Sequence, residues 1–465
     1  MYDAAGDDTH FRRLIIRTAG EKLFNSFNVR PWLTDNTALP CIAVRIPIKF
    51  SPVSEEWGDA NLERSLVADH MRILLYAGSG FTHILTTSPS EPLLAEAAYL
   101  AMVHRRWSRG KANDRSDMRP FRVLYNCFGR SLLSALGARG ETVAALLLLL
   151  ARDCATTIPL SRDEPYPGAS EGDFSPDFNT CHRRDGAMER RIVTVAQFLE
   201  KLLGEANFKP CADSLPRVYQ SAEDSRTPLR DAFQDAFIYF NHFIEAQSRD
   251  VANQEYLLLA ISRGAAIIMP NNDLGVDIII PVLCGTVLTK EKVTAILVHT
   301  RNSRHYGAKI QLPVFAGMGP YRCGLFDRDV ENPPPVLRLV FALASPVSAV
   351  SVSRAGASLG ESQSSPREKT AKFTAYEIWC AGASHETFGS VLVGEKYDIA
   401  YLLEQMRDPL DLYSDWRDPE GIPRALRQMQ PLVSTHPDSI SQFAHCEPNM
   451  SDYPLADHDE EEIVG

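Results

Sequence analysis

A carboxylate inside an apolar run is the first sign of chemistry in this chain. Residues 263–302 read RGAAIIMPNNDLGVDIIIPVLCGTVLTKEKVTAILVHTRN. Asp277 stands among Val and Ile, and a buried carboxylate is costly unless a metal, a cation or hydrogen-bond donors meet it. The next apolar run closes on His299 and Arg301. Strand alternation puts Asp277, Ile279 and Pro281 on one face. It puts Val293, Ala295, Leu297, His299 and Arg301 on one face of the second run. A turn at Thr289-Lys290-Glu291-Lys292 folds the two together, so Asp277 comes close to His299 and Arg301. Arginine stays charged and grips phosphate in a fork, whereas imidazole is a poor ligand for Mg²⁺.

These side chains need a scaffold, and the rest of the chain supplies a mixed α/β pattern. NQEYLLLAISRGAA (253–266) has helical spacing and carries Glu255, a candidate second carboxylate, and Arg263. DAFQDAFIYFNHFIEA (231–246) reads as an amphipathic helix. IQLPVFAG, VLRLVFALA and KFTAYEIWCAG read as further strands, and YDIAYLLEQM (397–406) as a closing helix. Upstream, HFRRLIIRTAGEKLFNSF and SLVADHMRILLYAG read as helices, CIAVRIPIKF (41–50) as a strand, and 91–107 and 190–204 as helices. Ser88-Pro89-Ser90-Glu91 punctuates the chain before the 91–107 helix. VAALLLLLA (143–151) is a helix buried on all sides. The expected organisation is a mostly helical N-terminal domain (10–155), a linker and helix (156–224), an α/β domain (225–406) and a disordered acidic tail (407–465).

Composition narrows the function classes. The net charge is −11, and residues 451–465 hold six acids and no Lys or Arg, leaving −5 on the rest. A mildly acidic body lacks the basic footprint of a dedicated nucleic-acid binder. Local basic clusters exist at 105–122, with seven Lys/Arg, and at RNSRHYGAK (301–309), with Arg301, Arg304, His305 and Lys309. Nine cysteines without a CxxC pair fit a reducing compartment. There is no signal-peptide pattern, and the nine-residue apolar run is too short to span a bilayer, so an intracellular chain (cytoplasmic or nuclear) with no membrane partner is expected.

The order helix, Gly275-x-Asp277 strand, turn, strand closing on His299-x-Arg301 resembles the PD-(D/E)xK nuclease superfamily. More closely, RGAAIIMPNN, GVDIIIPVLCG and VTAILVHTRN look like a group of uncharacterised fungal proteins whose second strand usually ends in Val-Gln-Val-Lys-Asn. HMRILLYAG, SEPLLAEAA, ARGETVAALLLLLARD and YEIWCAG extend that likeness over most of residues 10–410. The resemblance implies a restriction-endonuclease-like α/β core and an origin in a mobile element or toxin-type effector. In such a core Asp277 and Glu255 would hold Mg²⁺, His299 stands where Glu, Asp or Gln is usual, and Arg301 stands where Lys is usual. Arg301, Arg304, Lys309 and Arg263 would contact phosphate or nucleic acid.

Three readings of Asp277 follow. It serves an active metal-dependent phosphodiesterase, it belongs to an inactive nuclease-like fold that still grips phosphate, or it pairs with Arg301 or Arg263 as a structural ion pair. The leading expectation is a degenerate nuclease-like protein that retains phosphate binding. The alternative is a non-catalytic intracellular interaction or scaffold protein.

Overall fold

The computed structural model describes residues 41–47, 73–77, 84–87, 90–107, 124, 139–156, 192–246, 252–269, 275–327, 329–353, 372–392, 399 and 402–403. The helix expected at 10–27, the 156–190 linker, most of the 105–122 basic stretch and the acidic tail lie outside them. The elements used below are, in chain order, β1 (Ile73–Ala77), β2 (Ile84–Thr87), α1 (Pro92–Trp107), α2 (Arg139–Thr156), β3 (Val193–Thr194) and α3 (Val195–Leu203). There follow β4 (Ala236–Ile238), β5 (His242–Glu245), α4 (Gln254–Arg263), β6 (Ala265–Ile268), β7 (Ile278–Cys284) and β8 (Val293–Arg301). The last are α5 (Leu312–Gly317), β9 (Val336–Ala342), β10 (Ala349–Val352) and β11 (Ala375–Ala381).

The architecture is mixed α/β, with a nine-stranded mixed sheet at its centre. β7 and β8 form an antiparallel hairpin with Ile278 opposite Val298 and Leu283 opposite Val293. β9 runs parallel to β8, β11 parallel to β9, and β10 closes that edge antiparallel to β11. On its other edge β7 has two neighbours in succession. β6 pairs with Ile278 and Ile279, and β4 pairs with Val282 to Cys284. Pro281 sits at this fork, where a residue without an N–H leaves no orphan donor. β5 then lies parallel to β6, and β3 antiparallel to β4.

The near-continuous apolar runs of β7 and β8 reflect burial on both faces. Even-numbered residues Ile278, Ile280, Ile296 and Val298 join a core with α2 and α3, where Val143 to Leu149 are all buried. Odd-numbered Ile279, Leu283, Ala295 and Leu297 face a second core with α4, α5 and Trp379. α2 and residues 42–46 share the first core with the sheet, so that part of the expected N-terminal helical domain packs directly on the C-terminal sheet. No described helix is long and apolar enough to cross a membrane.

Local signals explain the helices. Thr194 and Gln197 form a reciprocal capping box at the start of α3. Asn253 accepts the Tyr256 N–H at the start of α4. Gly264 ends α4 with φ +67, and a Cβ there would meet the Tyr239 ring at 3.0 Å. Gly264 therefore lets the chain reverse into β6.

Four segments depart from the sequence expectation. Residues 231–246 form β4 and β5 rather than a helix, because their aromatic and β-branched residues find partners in β3, β6 and β7. Residues 312–317 are the helix α5, not a strand, with Pro313 in the first turn where a missing N–H is harmless. Residues 73–77 are a strand paired with 84–87, not the end of a helix. Cys41 to Ile46 make a buried helical turn instead of a strand, with Ile46 N bonding Ile42 O.

That turn delivers Arg45 to a fully buried network. Its guanidinium donates two 2.7 Å bonds to Asp153 and one of 2.9 Å to the Asn241 carbonyl. A second network sits beside Trp379. Glu377 accepts from Arg217 at 2.6 and 2.7 Å, from Ser353 at 2.6 Å, and from Arg338 on the neighbouring strand. Arg338 also donates to the Phe315 carbonyl at 2.9 Å, tying β9 to α5. Removing one partner of such a buried set strands the others. Glu377→Ala is expected to cost roughly 3–5 kcal/mol in chemical denaturation. Lys209→Ala, which breaks only an exposed pair with Glu205, should leave the midpoint where it is.

Candidate functional site

Asp277 precedes β7 and is pinned by its own backbone. Its N–H donates to Val298 O at 2.9 Å, and its carbonyl accepts from Met269 N at 2.8 Å. The hairpin register continues by one pair to set Asp277 opposite His299. Asp277 Oδ2 lies 3.0 Å from His299 Nδ1, with side chains 15% and 8% exposed. The two side chains meet across the hairpin at contact distance, and both ring nitrogens of His299 are buried. The directional bonds come from Thr300, whose N–H donates to Oδ2 at 2.5 Å and whose hydroxyl donates at 2.8 Å.

The electrostatics follow from this set. Burial alone would raise the Asp277 pKa, but His299 and the two Thr300 donors outweigh it and hold the carboxyl below its ordinary value. Asp277 is thus a carboxylate satisfied by protein groups.

The other expected residues are distributed unequally. His299 and Arg301 share the α5 face of β8, as alternation requires. Arg301 lies 5.8 Å over the Tyr306 ring. His299 Nε2 and Arg301 Nε are buried and have no hydrogen-bond partner among the described residues. Beyond β8, an open cleft of about 550 Å³ is lined by Thr300, Arg301, Asn302, Ser303, His305, Tyr306 and Gln311. Trp379 anchors the cleft loop by donating to Gly307 O at 2.9 Å, and Ser351 donates to Ala308 O at 3.0 Å. Arg304 and Lys309 are exposed on the same loop.

Glu255 and Arg263 are elsewhere. Glu255 is exposed in the first turn of α4, where its neighbour Gln254 bonds Val293 O at the opposite end of β8. Six residues of strand, about 20 Å, separate Val293 from His299. Arg263 donates to Ser90 Oγ at 3.1 Å and to Ser90 O at 2.7 Å. The pairing of Asp277 with Arg301 or Arg263 is therefore replaced by pairing with His299 and Thr300.

The donor set does not fit Mg²⁺. The described residues hold no cluster of three or more His, Cys, Asp or Glu that could take a metal. One oxygen of Asp277 is already committed, Glu255 is remote, and imidazole nitrogen suits Mg²⁺ poorly. Sequence reasoning missed Thr300 because alternation assigns its side chain to the other face. The signal was its position at the strand end, where backbone N–H and hydroxyl can both turn to one acceptor. It also missed the contact of Ser90 with His242, since a helical reading of 231–246 hid it.

A stability measurement checks the Asp277 assignment. The depressed carboxyl contributes stability above its ordinary value of 3.8, and this is lost as pH falls below that value. Asp277→Asn should cost about 1–3 kcal/mol at neutral pH. The gap between wild type and variant should narrow in denaturation curves taken at progressively lower pH. A gap independent of pH would refute the assignment. Compared with known protein families, curated proteins and solved structures, the chain finds no match.

Proposed function

We propose that this chain carries a nuclease-derived core that binds phosphate through the β8 cleft and does not cleave by a metal-dependent route. The observation that carries the reading is the closure of Asp277 by His299 and both Thr300 donors. A metal nuclease needs that carboxylate open to an ion, with further oxygen ligands beside it. Here an imidazole stands where an oxygen ligand is needed.

The restriction-endonuclease-like likeness is supported by the element order. α4 precedes the hairpin, Asp277 enters its first arm, and His299 and Arg301 leave its second. Phosphate binding is supported by what remains at the strand end. Arg301 lines the cleft, and Ser303, His305 and Gln311 add polar groups. Arg304 and Lys309 add positive charge from the loop. Arginine holds its charge and matches phosphate oxygens in a fork, which suits binding without proton transfer. With a net charge of −11, long-range repulsion opposes this contact, so binding is expected to be weak and salt-sensitive.

The closure of Asp277 also favours a second reading, a non-catalytic interaction protein with no nucleic-acid ligand. Fluorescence anisotropy with single- and double-stranded DNA and RNA at rising salt separates the two. Binding should weaken steeply with salt, and Arg301→Ala should lower the slope of log K against log salt by about 0.7–0.9. Incubation with Mg²⁺ or Mn²⁺ should leave every substrate intact. Absence of binding at low salt by folded protein would favour the interaction reading. Cleavage that disappears in Asp277→Ala would overturn both.

A further inference from the structure

A second centre lies away from the β8 cleft and does not depend on the nuclease-derived reading. Ser90 Oγ is 2.9 Å from His242 Nε2, and His242 Nδ1 is 2.7 Å from Asn241 Oδ1. The surrounding bonds fix the protons. Asn241 Nδ2 donates to Glu96 Oε2 at 2.8 Å and to Pro92 O at 3.2 Å, so its oxygen must face the imidazole. That oxygen accepts the Nδ1–H, which leaves a lone pair on Nε2. Ser90 therefore donates its proton to His242.

The serine is polarised from the other side as well. Arg263 Nε–H donates to Ser90 Oγ at 3.1 Å, and Nη2 holds the Ser90 carbonyl at 2.7 Å. The hydroxyl thus points its proton at a base and its lone pair at a fixed cation. Both effects favour negative charge on oxygen, which is what activates a serine nucleophile. The imidazole is fully buried, and burial, then Arg263 and Arg45, hold its pKa at about 3 against the pull of the Gly264 carbonyl. It is neutral at physiological pH and a weak base, so it takes the Ser90 proton only as the bond to an activated carbonyl forms. Ser90 itself is only partly buried and stands two residues before α1.

We infer that Ser90 is the nucleophile of an acyl-transfer centre for activated carboxylic esters, with His242 as base and Asn241 as the positioning residue. In acylation the Ser90 oxygen bonds to the ester carbonyl carbon as its proton passes to His242 Nε2. The tetrahedral intermediate collapses with loss of the alkoxide, which takes that proton and leaves as the alcohol. Water then attacks acyl-Ser90, giving its proton to His242. The carboxylic acid departs, and the proton returns to Ser90. Because Arg263 and Arg45 oppose a charged imidazole, esters with good leaving groups are the expected class.

The test uses the full chain, a fluorophosphonate probe and p-nitrophenyl acetate. Peptide mapping should place the probe on Ser90 in folded protein and not in urea. His242→Gln should slow labelling by about 100-fold or more, and Ser90→Ala should abolish both labelling and the release burst from the ester. Ser90→Cys, a near-isosteric change, should make position 90 alkylate faster than the thiols of the described residues, which keeps the test valid if His242→Gln folds poorly. Folded wild type without a label on Ser90, or a thiol introduced at position 90 that reacts no faster than Cys154 or Cys284, would reduce His242 to a buried imidazole satisfied by its neighbours.

Discussion

The β7–β8 hairpin is the constraint on which the rest of the structure depends. Two strands of almost unbroken apolar sequence can be stable only if both faces and both edges are covered. Helices α2 and α3 cover one face, and α4 and α5 the other. β9 and β11 extend one edge in parallel, while β6 and β4 share the other. Each candidate polar group is then placed relative to this pair. Asp277 sits at the hairpin's open end, and His299 and Arg301 at the matching end of β8.

Two buried charged groups follow one rule, each meeting several partners from distant parts of the chain. Glu377 binds groups contributed by residues 217, 338 and 353, and Arg45 binds residues 153 and 241. These contacts join segments that local sequence cannot connect, and they favour one packing of the sheet over alternatives. Asp277 also meets protein partners, closer in sequence, in His299 and Thr300.

The legible parts of the sequence were those with one strong local signal. β7, β8, β9 and β11 were readable from apolar runs, α2 from its uniform leucines, and α4 from its period, though the helical reading ran on to 266 where β6 has already begun. That His299 and Arg301 share one face of β8 followed from alternation, whereas the placement of Asp277 against them depends on the hairpin register. Residues 231–246 were not readable, since aromatics at mixed spacing satisfy either period and only the neighbouring strands decide. Residues 312–317 failed for a similar reason, being too short for periodicity to rule. The remoteness of Glu255 could not be inferred, because the angle at which α4 crosses the sheet is set by packing.

The fork at β7 has a mechanical meaning. β6 is one branch of it, only four residues long, and β5 hangs on that branch alone within the sheet. At one end of β6, Ala265 lies beside His242; just past the other, Met269 holds the Asp277 carbonyl. The serine–histidine cluster and the closed carboxylate are thus mounted on the two ends of one short beam. The β4 and β3 branch is attached separately to β7 and carries neither. A shift of β6 along its own axis would be felt at both centres together, while the remainder of the sheet stayed in register.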